Sequence, residues 1–183
     1  MVPRPRVVRA PGPWCRRVLA HTLLVAALLV RVVGLPPVHA EARERHCTST
    51  MLPVALGDEQ PLTAELFGML CYRGPAAPQT VQVLVHGGTY DQRYWDWPVD
   101  NERYSYVNAA TAAGYATFAF DRLGTGRSTK PPSGQVDLTA NIATIHQVIQ
   151  ALRHGAIGGQ PFRHVVYVGH SIGAQLAWAE IAT

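Results

Sequence analysis

The sequence has few cysteines and no apolar run long enough to cross a membrane. Only three of the 183 residues are cysteine, and they do not combine with the eight histidines in the spacing of a zinc site. The longest apolar segment runs from Val18 to Val30 and ends at Arg31, whereas a membrane span needs about 20 apolar residues. We therefore expect no metal site and no stable membrane span in the mature protein.

Acidic residues are absent from the first 40 positions. These positions hold six of the 16 Lys and Arg residues, so positions 41–183 carry ten basic and twelve acidic residues, a net charge of −2. The formal net charge of +4 therefore belongs to the N-terminal segment. Because the remaining chain is slightly acidic, the sequence does not favour a nucleic-acid partner.

The N-terminal segment has the organisation of a secretory signal. A basic stretch precedes the apolar run, and the residues up to Ala40 fit a cleavage site with small or aliphatic side chains. The pair Arg16-Arg17 loosely matches a twin-arginine signal. We predict a signal peptide over residues 1–40, a mature domain over 41–183 and secretion from the cell. An uncleaved membrane anchor is the alternative.

Two cysteines remain in the predicted mature chain. Cys15 would be removed with the signal, which leaves Cys47 and Cys71, separated by 24 positions. An even pair of cysteines in an exported chain favours a disulfide. Two buried free thiols are the alternative.

The mature sequence alternates short apolar segments with longer amphipathic ones. Strands are predicted over 47–54, 62–72, 81–85, 115–120 and 165–168, and helices over 105–113, 138–155 and 171–183. Short runs that are apolar on both faces are typical of strands in a parallel sheet. The pattern therefore predicts an α/β fold, with a mainly parallel sheet and helices on both faces.

The motif Gly169-His170-Ser171-Ile172-Gly173 lies between the last predicted strand and the last helix. Such a turn is tight and its backbone is strained, so side chains two positions either side of the serine would clash. The serine hydroxyl then lies at a helix N-terminus, where free N–H groups favour developing negative charge. The motif predicts Ser171 as a nucleophile, and a purely structural serine is the alternative.

Two further loops follow predicted strands, where parallel-sheet proteins place their sites. The turn His86-Gly87-Gly88 offers backbone N–H groups for half of an oxyanion hole, with the N–H of Ile172 as the other half. Glycine suits this position because a substrate oxygen must come close to the main chain. An ordinary Gly-Gly turn is the alternative.

The loop that begins at Asp121 has the pattern Asp-x-x-Gly-x-Gly-x-Ser. A phosphate-binding loop that ended here would need glycine in place of Asp121 and lysine in place of Arg127. A dinucleotide-binding motif would need a third glycine where Thr129 stands. The loop therefore does not indicate nucleotide binding, and we expect no cofactor.

The turn at His86, the loop at Asp121 and the motif at Ser171 occur in the order found in the α/β-hydrolase superfamily. From residue 47 onward the sequence resembles exported, esterase-like serine hydrolases of that superfamily. The resemblance implies hydrolysis of an ester or related acyl bond in a small-molecule substrate. It also implies that the Asp121 loop is mainly a structural turn.

The same resemblance assigns roles to individual residues. It implies Ser171 as the nucleophile, with Gly88 and Ile172 as the oxyanion donors. A serine at this position argues against dehalogenases and most epoxide hydrolases, which place aspartate there.

The catalytic partners of the serine are missing from the predicted site. In the superfamily an acid and then a histidine follow the nucleophile in the chain. After Ser171 this sequence has Glu180, within the same predicted helix, and no histidine. Each upstream histidine is expected to be structural. We therefore expect an N-terminal portion of a hydrolase domain, without the acid and the histidine of the triad.

A non-catalytic exported binding module on the same fold is the second hypothesis. Its ligand surface would be the aromatic segment that contains Tyr90, Tyr94, Trp95 and Trp97. Such residues more often line a substrate pocket or pack in a core.

Overall fold

The structure, a computed structural model, describes residues 44–181, so the predicted signal lies outside the described residues. Its five strands are β1 Arg45–Ala55, β2 Leu62–Arg73, β3 Thr80–Val85, β4 Ala116–Phe120 and β5 His164–Gly169. Its four α-helices are α1 Asn101–Tyr104, α2 Tyr106–Ala112, α3 Leu138–Arg153 and α4 Ile172–Ile181. Short 3-10 helices occupy Gln92–Tyr94 and Ser133–Gln135. All five predicted strands and all three predicted helices are present, and α1 is an addition.

The strands form one sheet in the order β1-β2-β4-β3-β5. The pairings of β3 with β4 and of β3 with β5 are parallel. The pairings of β1 with β2 and of β2 with β4 are antiparallel. The predicted α/β class is confirmed, and its parallel part is the group β4-β3-β5, from which all three candidate loops leave.

Helices cover both faces of the sheet, as the sequence predicts. Val83 and Val85 of β3 belong to a core that also contains Val148 of α3 and Leu176 of α4. On the other face, Leu84 belongs to a second core, together with side chains from the segment around α2. Burial of β3 on both faces explains why its sequence is almost continuously apolar.

Capping residues fix where two of the helices begin. The Asp137 carboxylate accepts a hydrogen bond from the backbone N–H of Ala140 at 2.8 Å, at the start of α3. The Ser105 hydroxyl accepts one from Asn108 at 2.8 Å, at the start of α2. Each cap satisfies an N–H group that has no partner inside its helix.

The cysteines lie opposite one another on the antiparallel strands β1 and β2. Their Cα atoms are 4.1 Å apart, and the structure joins Cys47 to Cys71 by a disulfide. This bond links the two strands furthest from β5 in the sheet order.

Candidate functional site

Ser171 occupies a sharp turn between β5 and α4. Its φ of +55° lies in the left-handed region, which is rare for residues other than glycine. The turn is held from both sides: the N–H of His170 donates to Val85 at 3.0 Å, and the N–H of Gly173 donates to His170 at 2.9 Å. Ser171 itself is exposed at the start of α4. The strained backbone therefore presents the hydroxyl-bearing residue to solvent.

The glycines two positions either side of Ser171 are required by close backbone contacts. A Cβ atom on Gly173 would lie 2.2 Å from the carbonyl oxygen of Val85, and one on Gly169 would lie 2.6 Å from the backbone of Gly173. Both distances are far below van der Waals contact, and the backbone atoms cannot move aside. The turn consequently packs directly against the end of β3.

A tyrosine of β5 supports the same turn. The Tyr167 hydroxyl donates a hydrogen bond to the Gly173 carbonyl at 2.8 Å. Burial raises the pKa of Tyr167, so its hydroxyl keeps its proton and remains a donor. Tyr167 belongs to no recognisable sequence motif. The apolar residues around it in β5 predict a strand but not its hydrogen bond to Gly173.

The turn after β3 lies against Ser171. A Cβ atom on Gly87 would be 3.0 Å from the Cβ of Ser171 and 2.0 Å from the hydroxyl oxygen of Tyr90. Gly87 therefore allows two side chains to approach the main chain. Next to it, Gly88 has open space, because a Cβ atom added there would meet nothing within 4 Å.

The two predicted oxyanion donors have free N–H groups. Across residues 44–181, neither the N–H of Gly88 nor that of Ile172 donates to another backbone carbonyl outside the helices and strands. Ile172 is the first residue of α4, and the N–H groups at the start of an α-helix have no partner within it. Both groups are therefore available to a ligand oxygen.

His86 is held in a neutral state by its surroundings. Its Nε2 accepts a hydrogen bond from the backbone N–H of Arg122 at 3.1 Å, so this nitrogen carries no proton. Its Nδ1 then donates to the Gly87 carbonyl at 2.8 Å. Burial lowers the pKa of His86, with a smaller contribution from Arg122. Both ring nitrogens are occupied, and His86 has a structural role in the turn.

Arg122 braces the turn after β3, a role that the sequence did not indicate. Its guanidinium donates to the carbonyls of His86 at 3.1 Å and Gly87 at 2.9 Å, and to the Asn141 side chain at 3.0 Å. Burial lowers the pKa of Arg122. A single arginine after a strand has no recognisable spacing, so only the fold brings it to this turn.

Hydrogen bonds hold the Asp121 loop both internally and to neighbouring segments. The carboxylate accepts from the backbone N–H groups of Gln92 at 2.8 Å and Arg127 at 2.7 Å. The Ser128 hydroxyl accepts from Phe67 at 2.9 Å and donates to the Asp121 carbonyl at 2.6 Å. These bonds explain the loop as structural support between β2, β4 and the segment after β3.

An aromatic group contacts the side chain that precedes Ser171. The Tyr90 hydroxyl is hydrogen-bonded to Nδ1 of His170. The Tyr94 ring stacks on the His170 ring, with centroids 4.6 Å apart. The sequence marked the aromatic segment but gave no reason to connect it with His170.

His146 and Glu180 lie away from the candidate site. Nδ1 of His146, on α3, pairs with Oε1 of Glu180 at 2.8 Å. Glu180 belongs to the last turn of α4, while Ser171 directly precedes the first. This pair therefore connects two helices and does not approach the serine.

Between residues 44 and 181, no helix is long and apolar enough to cross a membrane. The same part of the chain holds no cluster of His, Cys, Asp or Glu residues suited to a metal ion.

Comparison with solved structures reveals the same fold in several hydrolases. An epoxide hydrolase variant from Vigna radiata is 17% identical, with a TM-score of 0.53 over 75% of this chain and 35% of that chain. An esterase from Exiguobacterium antarcticum is 20% identical, with a TM-score of 0.53 over 74% of this chain and 40% of that chain. A thioesterase domain from the curacin biosynthetic pathway is 21% identical, with a TM-score of 0.52 over 75% and 40%.

This chain thus spans well under half the length of these similar structures. No curated protein gives a significant match to the sequence. A sequence profile described as "Alpha/beta hydrolase family" matches residues 82–183, which is more than half of the chain and includes all three candidate loops. The chain belongs to the alpha/beta hydrolase family.

Proposed function

We propose that this chain supplies the nucleophile and the oxyanion-binding turn of a serine hydrolase acting on an ester or related acyl bond. The observation that supports this function best is the strained, exposed Ser171, which lies against the turn after β3. Open space beside Gly88 and a free N–H on Ile172 complete the arrangement.

The chemistry follows from these groups. Oγ of Ser171 forms a bond to the acyl carbon while its proton passes to a base, and the carbonyl oxygen becomes an oxyanion. The N–H groups of Gly88 and Ile172 donate to that oxygen. The carbon–oxygen bond of the ester then breaks, the alcohol leaves with the proton, and water hydrolyses the acyl-enzyme by the same steps.

We assign the base to none of His86, His146 and His170. His86 is neutral with both nitrogens engaged, His170 is bonded to Tyr90, and His146 pairs with Glu180. A serine hydroxyl is too weakly acidic to attack efficiently without a base. The 183-residue chain is therefore expected to show no triad-level ester turnover.

Labelling by a fluorophosphonate tests the roles of the serine and the turn without requiring turnover. We expect slow modification at Ser171, located by mass spectrometry, and its loss in Ser171→Ala. Ser133→Ala is the matched control, because Ser133 is an exposed serine outside the site. Labelling of other serines, with Ser171 unmodified, would contradict the proposed nucleophile. Rapid p-nitrophenyl ester hydrolysis that Ser171→Ala abolishes would contradict the missing base.

We also propose that the protein is exported. The disulfide between Cys47 and Cys71 supports this, because such bonds persist in oxidising compartments. N-terminal sequencing of the secreted protein is expected to begin near Glu41, and a retained leader would contradict cleavage.

A further inference from the structure

Five aromatic side chains line an open surface pocket of about 590 Å³. They are Tyr94, Trp95, Trp97, Tyr104 and Tyr106. We infer that this aromatic pocket binds a neutral aromatic group of the substrate, an inference that rests on the hydrolase function proposed above. The volume is within the range of pockets that hold small organic ligands, about 300–1,000 Å³.

The pocket adjoins the turn that carries the serine. Tyr94 lines the pocket and also stacks on His170, the residue before Ser171. Tyr90 lies between the two regions: its ring is 5.1 Å from that of Tyr94, and its hydroxyl approaches the Gly87 main chain beside Ser171. Tyr94 therefore links the pocket to the turn that carries Ser171, through its contact with the neighbouring residue His170.

Packing and hydrogen bonds hold the pocket walls in place. Trp95 is buried and contacts both Tyr94 and Tyr106 edge-on, with centroids 5.1 and 5.4 Å apart. The Tyr106 hydroxyl donates to the Gln82 side chain at 2.8 Å. A preformed pocket loses little conformational entropy when a ligand binds.

The loop between the aromatic residues is also fixed. Oδ1 of Asp96 accepts hydrogen bonds from Ser105 at 2.5 Å, Asn101 at 2.8 Å and Arg45 at 3.1 Å. Burial by itself would raise the pKa of Asp96, but these bonds lower it below the usual value. The charged form that holds the loop is therefore favoured at neutral pH.

A cation already stacks on one wall of the pocket. Aromatic walls bind either flat neutral rings or cations such as quaternary ammonium groups. Here the guanidinium of Arg103 already lies over the Tyr104 ring, 5.3 Å from its centroid. The Asp96 carboxylate in the same loop is already paired with Arg45, and a further cation would compete with Arg103 for the Tyr104 ring. The pocket therefore favours a neutral aromatic group.

Calorimetric titration of the full chain with 2-naphthol tests the inference. The Ser171→Ala background is used, so binding is measured without chemistry. We expect Trp97→Ala to weaken binding about tenfold, because the variant loses one stacking wall of the pocket. Tyr104→Leu provides a second variant, and both residues are about half exposed, which favours correct folding. Trp178→Ala, at an 80% exposed position on α4 outside the pocket, should bind normally.

Unchanged binding in both pocket variants, or tighter binding of phenyltrimethylammonium than of 2-naphthol, would overturn the inference. These outcomes are separate from those of the labelling test. If Ser171 is not labelled but naphthol binding depends on Trp97, the hydrolase function is refuted and an aromatic-binding pocket remains. Ser171 labelling with no naphthol binding supports the hydrolase and refutes the pocket.

Discussion

Ser128 and Ser171 lie in loops that follow β4 and β5, the two strands on either side of β3. Ser128 is buried and its hydroxyl both accepts and donates a hydrogen bond within the protein. Ser171 is exposed, in a left-handed backbone conformation beside free N–H groups. Two similar clusters of glycine and serine therefore occupy opposite environments.

The difference shows how a loop's hydrogen bonds indicate its role. Around Asp121, the side chains of Asp121 and Ser128 bond to backbone groups of the protein itself, so both are engaged in structural contacts. Around Ser171, the backbone stays strained and N–H groups stay without a backbone acceptor. They persist because the neighbouring strands fix the conformation of the turn.

Asp121→Ala should cause the largest loss of stability. It removes a carboxylate that accepts two backbone N–H groups, and hydrogen bonds to a charged group contribute about 1.5–3 kcal/mol each. We expect the free energy of unfolding in urea to fall by about 3–6 kcal/mol. Asp58→Ala, at an exposed aspartate in the turn between β1 and β2, should change it by less than about 0.5 kcal/mol. Equal effects would show that the Asp121 loop is not a structural support.

Gly88→Pro should slow fluorophosphonate labelling of Ser171 by about 100- to 1,000-fold, the usual effect of losing one oxyanion donor. Gly88→Ala is the matched control, because it keeps the N–H, its Cβ meets no atom, and Gly88 is outside the positive-φ region. Rates are compared by mass spectrometry after circular dichroism has verified the fold. If both variants label at the same rate, the Gly88 N–H is not an oxyanion donor.

Ser128→Ala should destabilise the protein by about 1–3 kcal/mol, because the buried N–H of Phe67 loses its acceptor. Labelling of Ser171 should persist in the molecules that remain folded. Ser133→Ala should leave the urea midpoint unchanged, since that serine is exposed. A neutral Ser128→Ala would mean that the hydroxyl contributes little to the loop.

Acidification should produce the smallest effect. Burial lowers the pKa of His86 below its ordinary 6.5, so the unfolded state binds the proton more readily than the folded one. Stability from this group is fully present above pH 6.5 and declines as the pH falls toward the folded-state pKa, by at most about 1.4 kcal/mol per pH unit. NMR titration should give a midpoint below 6.5 for His86. A midpoint at or above 6.5 would contradict its buried, neutral state.

Local pattern was sufficient to predict most of the secondary structure. A strand-turn-strand pattern located β1 and β2, short apolar runs located the other strands, and the Asp137 cap located the start of α3. Leu138 is the exception, since its side chain is largely exposed despite its place in the apolar pattern. At the first turn of a helix the chain is still approaching the core, so periodicity alone does not guarantee burial.

Contacts between distant segments were not predictable in the same way. Arg122 reaches the turn after β3 because β4 pairs with β3 in parallel and both strands end together. Tyr90 reaches His170 across 80 positions of sequence. Neither contact leaves a periodic or spaced signal, because each depends on strand order and on side-chain direction.

The sequence by itself determined the α/β class, the family and the order of the three loops, because strand length, apolar pattern and glycine placement are local properties of a chain. Tertiary structure decided which loop is closed and which is open. Only the register of β3 against β4 and β5 places Gly87 beside Ser171 and brings Arg122 to the turn after β3. Backbone hydrogen bonds are satisfied or left free according to what the fold brings within reach.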